Sequence, residues 1–304
     1  MDRFDLHILG CGSALPTRRH LPTAQVVNVR DKLFLIDCGE GTQLQFRSTK
    51  LHFNKIYDIF ISHLHGDHCF GLIGLISTMG MLGRTAPLTI HAHADLEKML
   101  QPQLDYFCKG MNYEIRFVPF DPSQYTLIYE DKSVQVYTLP LNHRIPTAGF
   151  LFKEQERPRH MLKEMMAFYK IPLKAVPGIK NGQDFVTDDG EVIPNARLTK
   201  PSAPSKTYAY CSDTAYSKAL IPLIQGVDLL YHEATFDEME KDRARETFHS
   251  TASMAGRVAA EAGVKKLMIG HFSARYADES LLLEQAKAFF ENTCLADENL
   301  LIEI

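Results

Sequence analysis

Between Ile59 and Gly74 the chain reads IFISHLHGDHCFGLIG, and residues 63–68 alone deliver His63, His65, Asp67 and His68. Imidazole and carboxylate donors without thiolate suit zinc or a similar first-row ion in a catalytic site, rather than a Cys-rich structural site. Four donors in so short a span cannot all share one helix face, and a strand would split them between two. They read as a loop at the carboxyl end of a buried strand, residues 56–62, with Gly66 letting the backbone turn back on itself. Three more donors follow apolar runs further on: His143 after residues 134–139, Asp213 after 207–212 and His271 after 265–269. A lone histidine at a strand end is more often a satisfied polar residue. Seven donors together are enough for two metal ions if one carboxylate bridges. Two ions about 4 Å apart clamp the attacking and leaving oxygens of a phosphoryl transfer, and they lower the pKa of a shared water toward roughly 7.

The elements that must position these donors can be read from the alternation of apolar runs and breakers. Residues 4–9 alternate and stop at Gly10-Cys11-Gly12, and residues 26–29 and 33–36 form a hairpin. The hairpin ends in Asp37-Cys38-Gly39-Glu40-Gly41-Thr42, where Thr42 is expected to cap a helix over 43–48. Helices are expected over 70–82, 95–107, 161–169, 252–262 and 280–292, the fourth capped by Ser250 or Thr251. Strands are expected over 88–92, 115–119, 150–152, 227–231 and 299–304. Strands alternate with helices in both halves and donors recur at strand ends, as in an α/β protein with its site along one sheet edge.

Residues 153–205 differ in character. Over 153–180 there are seven Lys or Arg against three Glu in a chain whose net charge is -4, and 180–205 is turn-rich. This stretch reads as an insertion or arm, not as core. The six cysteines are scattered without a C-x-x-C, which fits a reducing cytoplasm better than a disulfide framework. The start, MDRFDLHILG, carries two acids and does not read as a signal peptide. No apolar run approaches the roughly 20 residues that span a bilayer. His91-x-His93 lies on one strand face with nothing else converging, so it is assigned to structure. Cys69 and Cys211 adjoin donors without occupying donor positions.

HLHGDH after a strand, with single His, Asp and His donors downstream, resembles the metallo-β-lactamase superfamily. The opening ILGCGSALPT, IDCGEGTQ, CSDT (Cys211–Thr214), HEAT (His232–Thr235), HST (His249–Thr251) and HFSARY (His271–Tyr276) narrow the resemblance to the ribonuclease Z family, over nearly the whole chain. The resemblance implies a four-layer αββα sandwich of two similar halves in one domain, 1–304, with 153–205 as a flexible arm that grips RNA. It implies one zinc ion on His63, His65 and His143, a second on Asp67, His68 and His271, and Asp213 between them. Asp67 would also accept a proton from the attacking water, and His249, oriented by Glu233, would protonate the departing 3′ oxygen. A carboxylate partner favours the protonated ring such an acid needs; the alternative for Glu233 is a buried carboxylate paired for structure. Ser273, Arg275 and Tyr276 would contact substrate phosphate, Arg275 best because its fork matches phosphate. The implied activity is zinc-dependent removal of the 3′ trailer from precursor tRNA in the cytoplasm, by a homodimer with no membrane attachment. Another phosphodiesterase or an arylsulfatase on the same fold is the alternative.

Overall fold

The computed structural model describes residues 3–304 and gathers the apolar runs into two seven-stranded sheets. Strands β1 (Phe4–Gly10), β2 (Ala24–Val29), β3 (Lys32–Ile36), β4 (Ile56–Phe60), β5 (Leu88–Ala92) and β6 (Ile115–Pro119) lie side by side in the first. The second begins with β7 (Leu127–Glu130), β8 (Val134–Pro140) and β9 (Ala148–Glu154). Four two-residue strands follow in two small pairs of their own: β10 (His160–Met161) with β13 (Thr199–Lys200), and β11 (Phe185–Val186) with β12 (Val192–Ile193). Then β14 (Thr207–Cys211), β15 (Leu229–Glu233), β16 (Lys266–Gly270) and β17 (Thr293–Leu295) complete the second sheet, and β18 (Leu301–Glu303) returns to the first beside β1.

The pairing senses explain why donors collect at one edge. β3 to β6 run parallel to one another, as do β14 to β17, so each group ends on a common edge of its sheet. The antiparallel β2–β3 hairpin turns through Arg30 and Asp31 at φ 52° and 67°. Two consecutive positive φ values are those of the turn whose twist matches that of the flanking strands.

Helices α1 (Thr42–Ser48), α2 (Gly66–Cys69), α3 (Leu72–Met81) and α4 (Asp95–Phe107) belong to the first half. Their buried residues, among them Phe46, Leu75 and Leu100, join Leu35, Ile59 and Ile90 in one apolar core. A second core lies between the sheets, where Phe34, Phe60, Phe150, Phe152 and Tyr208 interlock, with Phe34 and Phe152 edge to face at 5.8 Å. Removing one such ring typically costs about 3–5 kcal/mol.

The segment Glu154–Ser205 forms a compact unit apart from the rest of the chain. It holds α5 (Lys163–Phe168), α6 (Val176–Lys180) and α7 (Asn195–Leu198) around a small core of Ile171, Ile179, Ile193 and Leu198. Asn195 fastens this core by donating to the carbonyls of Ile179 and Gln183 at 2.6 and 2.8 Å. The turn-rich sequence thus conceals four apolar residues too widely spaced to show a period. In the second half, α8 (Lys241–Thr247), α9 (Ala252–Ala262) and α10 (Ser280–Lys287) follow, and Val258 and Leu282 are buried together with residues of the second sheet. With helices outside both sheets, the layers run αββα.

Two local expectations change. Thr42 does not cap α1: Gly41 does so in left-handed backbone, φ 82°, and the Thr42 hydroxyl donates to the Gly39 carbonyl at 2.7 Å. The donor segment is not all loop either, because Gly66–Cys69 closes one helical turn with His65 at its cap. Gly66 does not reverse the chain, since its φ is not positive, and a Cβ there would meet only the ring of exposed Phe70.

Candidate metal centre and active site

All seven candidate donors meet at the strand ends. His63, His65, Asp67 and His68 follow β4, Asp213 follows β14, His271 follows β16 and His143 lies past the end of β8. Asp213 and His271 take left-handed backbone, φ 46° and 60°, and so does Asp37 after β3, φ 55°. Such conformations are uncommon for residues with a Cβ, and three of them around one cluster mark where the fold stores strain.

Hydrogen bonds on the outer side of each ring decide which nitrogen faces inward. The Asp37 carboxylate, fully buried, accepts from His68 Nδ1 at 2.7 Å, from Tyr210 at 2.6 Å and from the Ser62 hydroxyl at 2.8 Å. With its own proton committed to Asp37, the Ser62 hydroxyl can only accept from His63 Nδ1 at 3.0 Å. His143 Nδ1 donates to the Phe248 carbonyl at 3.0 Å. His63, His68 and His143 therefore turn Nε2 toward the centre, whereas His65 offers Nδ1, 2.9 Å from His63 Nε2 and 3.3 Å from His143 Nε2. Asp213 Oδ2 lies 3.5 and 3.6 Å from the Nε2 atoms of His63 and His143. Its Oδ1 lies 3.3 and 3.1 Å from those of His68 and His271. Asp67 Oδ2 is 3.5 Å from both His68 Nε2 and His271 Nε2.

These separations permit a test of fit. Donors on a tetrahedron about 2.0–2.1 Å from zinc stand about 3.3 Å apart. Each trio, with one oxygen of Asp213, has spacings around that value. Among the described residues His68 Nε2 and His271 Nε2 are buried without a hydrogen-bond partner, a costly state for a polar atom unless something else satisfies it. Electrostatics point the same way. His63, His65 and His143 are held below the ordinary imidazole value, by burial foremost, so they are neutral and free to donate a lone pair. At His68 burial opposes charge, but Asp213, Asp67 and Asp37 outweigh it and hold the ring well above that value. The same carboxylates would attract a divalent cation. Asp67 itself, despite burial, is held far below the carboxylate range by His68 and His271, and its Oδ2 also accepts from the Ala14 amide at 2.8 Å.

Beside the cluster His249 Nδ1 meets Glu233 Oε1 at 2.9 Å, with the ring stacked on His271. Burial disfavours the imidazolium, but Glu233 outweighs it, and the pKa of His249 is pushed up to about 9. Glu233 is buried completely yet held below its ordinary value, because His249 more than compensates for the burial. His249 faces a cavity of about 690 Å³ that His65, Asp67, His143, Asp213 and His271 also help to line, and Glu233 lies buried behind it.

Of the expected phosphate contacts, Ser273 and Arg275 line this cavity and Tyr276 does not. The Tyr276 hydroxyl accepts from the Asp237 amide at 2.8 Å, and the ring borders a smaller neighbouring pocket. Arg275 is engaged by Glu240 at 2.6 Å and lies over the Phe236 ring. Arg144 and Arg243, which the sequence did not single out, are exposed at the cavity wall and have no ion pair among the described residues. A basic residue directly after candidate donor His143 was the available signal for the first; nothing local marks the second. His91, assigned to structure, pairs with Asp58 at 3.0 Å and stacks on Phe60.

Comparison with known proteins agrees with this geometry. A family model described as "Anti-Pycsar protein Apyc1" matches residues 4–143. The solved structure of human tRNase Z, short form (ELAC1), superposes with TM-score 0.70 at 24% identity over 98% of each chain. The metallo-β-lactamase fold protein YhfI from Bacillus subtilis does so with TM-score 0.71 at 20% identity over 100% of each chain. At those identities the likeness speaks for the fold. The ribonuclease Z of Phocaeicola vulgatus is 60% identical over 304 residues, 100% of this chain and 98% of that one, and that of Bacteroides fragilis (strain YCH46) is 59% identical over 100% of both. At such identity over full length, the chain belongs to the ribonuclease Z family.

Proposed function

We propose that this endoribonuclease removes the 3′ trailer from precursor tRNA, hydrolysing the phosphodiester 3′ of the discriminator nucleotide. The observation that carries the reading is one cavity lined by five of the seven clustered donors and by an imidazole locked to a buried carboxylate, His249 on Glu233. The relatives named ribonuclease Z support the substrate class.

His63, His65 and His143 would hold one zinc ion, Asp67, His68 and His271 a second, and Asp213 would serve both. Zinc in such a site stabilises charge on phosphoryl oxygens and makes water a better nucleophile near neutral pH. Asp67 accepts the proton of the attacking water. His249, with Nδ1 tied to Glu233, delivers its Nε2 proton to the departing O3′. Water adds to phosphorus as the P–O3′ bond breaks, leaving a 3′-hydroxyl on the tRNA and a 5′-phosphate on the trailer. Arg144 and Arg243 carry uncommitted positive charge for the RNA backbone beside the scissile bond, and Ser273 is placed to contact it. Arg275, held by Glu240, is a weaker candidate for that contact.

The unit Glu154–Ser205 is read as the RNA-binding arm. It exposes Lys163, Lys170 and Lys174 for phosphates and Phe168 for stacking. A homodimer is the assembly we propose, and sedimentation at twice 34.4 kDa would register it. All six cysteines are free, which supports a cytoplasmic location, and among the described residues no helix is long and apolar enough to cross a membrane.

Metal removal and return tests the reading. Chelator-stripped protein should leave a 3′-extended tRNA precursor intact, and added zinc should restore cleavage at one position. Cleavage of a small chromogenic diester alone would favour the phosphodiesterase alternative.

A further inference from the structure

Thr235 stands two residues beyond Glu233, between the proton donor and the metal centre. Its hydroxyl donates to Glu233 Oε2 at 2.6 Å. A hydroxyl has a single proton, so toward His271 Nδ1, 3.0 Å away, it can act only as acceptor. His271 Nδ1 therefore carries the hydrogen, and its Nε2, buried with no hydrogen-bond partner among the described residues, presents a lone pair toward Asp67 and Asp213. The other carboxylate oxygen, Oε1, accepts from His249 Nδ1 at 2.9 Å and from the Thr214 amide at 2.6 Å. The Ser250 amide donates to Oε2 at 3.1 Å. With donors on both oxygens the carboxylate cannot rotate without breaking several bonds at once.

We infer that Thr235 is a positioning residue that fixes the ring nitrogen His271 offers to a metal, so that Glu233 serves the metal centre and the proton donor together. His68 and His143 have their outer nitrogens held directly, by Asp37 and by the Phe248 carbonyl. His63 is held through the hydroxyl of Ser62, and His271 through that of Thr235, each hydroxyl passing the hydrogen bond on to a buried carboxylate. Outer partners of ligating histidines commonly change metal affinity 10- to 100-fold when removed. Thr235 has a conservative replacement on each side: valine keeps its shape without the hydroxyl, and serine keeps the hydroxyl without the methyl. Rings at two positions then answer to one side chain. Losing the Thr235 hydroxyl frees His271 to flip, while His249 keeps its own bond to Glu233.

The inference rests on the two-ion reading, and one experiment separates them. Zinc-loaded wild type, Thr235→Val, Thr235→Ser and His249→Ala are dialysed against graded chelator, and retained zinc is counted by elemental analysis. Thr235→Val should release one of two ions at about 10- to 100-fold lower chelator strength, Thr235→Ser should follow wild type, and His249→Ala should keep both. Nitrogen-15 NMR of the histidines provides a second readout on the wild type itself, where His271 should carry its proton on Nδ1. Equal zinc retention by Thr235→Val and wild type, or a His271 proton on Nε2, overturns the inference and leaves the two-ion reading standing. A wild type that binds no zinc overturns both.

Discussion

His249 is the one imidazole at the cavity that a carboxylate holds without its belonging to either trio of candidate donors. His249→Ala should therefore lower kcat on RNA by about 10²–10⁴-fold while zinc content stays at the wild-type value. Loss of an ion in that variant would make His249 a ligand, which its closeness to Asp213 and His271 makes a fair challenge. Arg144 and Arg243 lead to a different expectation. Arg144→Gln and Arg243→Gln should each raise KM for RNA and leave kcat on a small diester unchanged. Each should reduce the slope of log affinity against log salt by about 0.7–1; an unchanged slope would remove that arginine from the backbone contact. The seven donors were legible because each sits at the end of an apolar run, where the sequence displays it. Asp37 was not, since its partner His68 lies 31 residues away and only the pairing of β3 with β4 brings them together. Thr235 was hidden in a similar way, since His271 lies 36 residues further on, and nothing local marks Arg243.

At the scale of elements, the segment between β1 and β2 is fastened from outside. His20 bridges Glu298, 2.8 Å from Nδ1, and Glu279, 3.3 Å from Nε2, while Arg19 reaches Glu279 as well. The same segment delivers the Ala14 amide to Asp67. Burial disfavours a charged His20, but Glu298 and Glu279 more than offset it, so its folded pKa lies above 6.5. A raised folded pKa gives stability that is complete below the unfolded value and fades as pH climbs through the folded one. Glu298 is shifted the opposite way: burial raises its pKa, but His20 and the Leu21 amide lower it below 4.5 overall, so its contribution fades as pH falls through that lowered value. The Tm difference between wild type and His20→Ala should be largest between about pH 4.5 and 6.5 and shrink on either side; a pH-independent difference would show that packing, not charge, holds the segment. Deleting Glu154–Ser205 tests the arm. Lys153 and Thr207 are directly paired on β9 and β14, so a short turn can rejoin them. The deletion should cripple RNA cleavage and spare a small diester, and equal loss of both would show that the unit is not a substrate clamp. Most elements were legible from alternation, whereas β7 was not, because Leu127–Glu130 is an edge strand with both ends exposed and no buried face to set a period.

Over the whole molecule, alternating strands and helices announced an α/β chain. The split into two facing sheets is less visible, because it depends on β18 crossing back to β1 and on the aromatic layer of Phe34, Phe60, Phe150 and Phe152, which no local pattern pairs. That closure brings the ends of β4, β14, β15 and β16 around one cavity, so the proposed nucleophile's side and leaving group's side come from different sheets. Asp67 follows a strand of the first sheet, and Glu233 and His249 belong to the second half. The central claim is that these two sides act in line on one phosphodiester, with His249 protonating O3′. Mapping both new ends of a cleaved 3′-extended tRNA precursor tests it most directly. The account predicts a single cut 3′ of the discriminator, with a free 3′-hydroxyl on the tRNA and a 5′-phosphate on the trailer; a 2′,3′-cyclic phosphate on the tRNA, or a 5′-hydroxyl on the trailer, would contradict it.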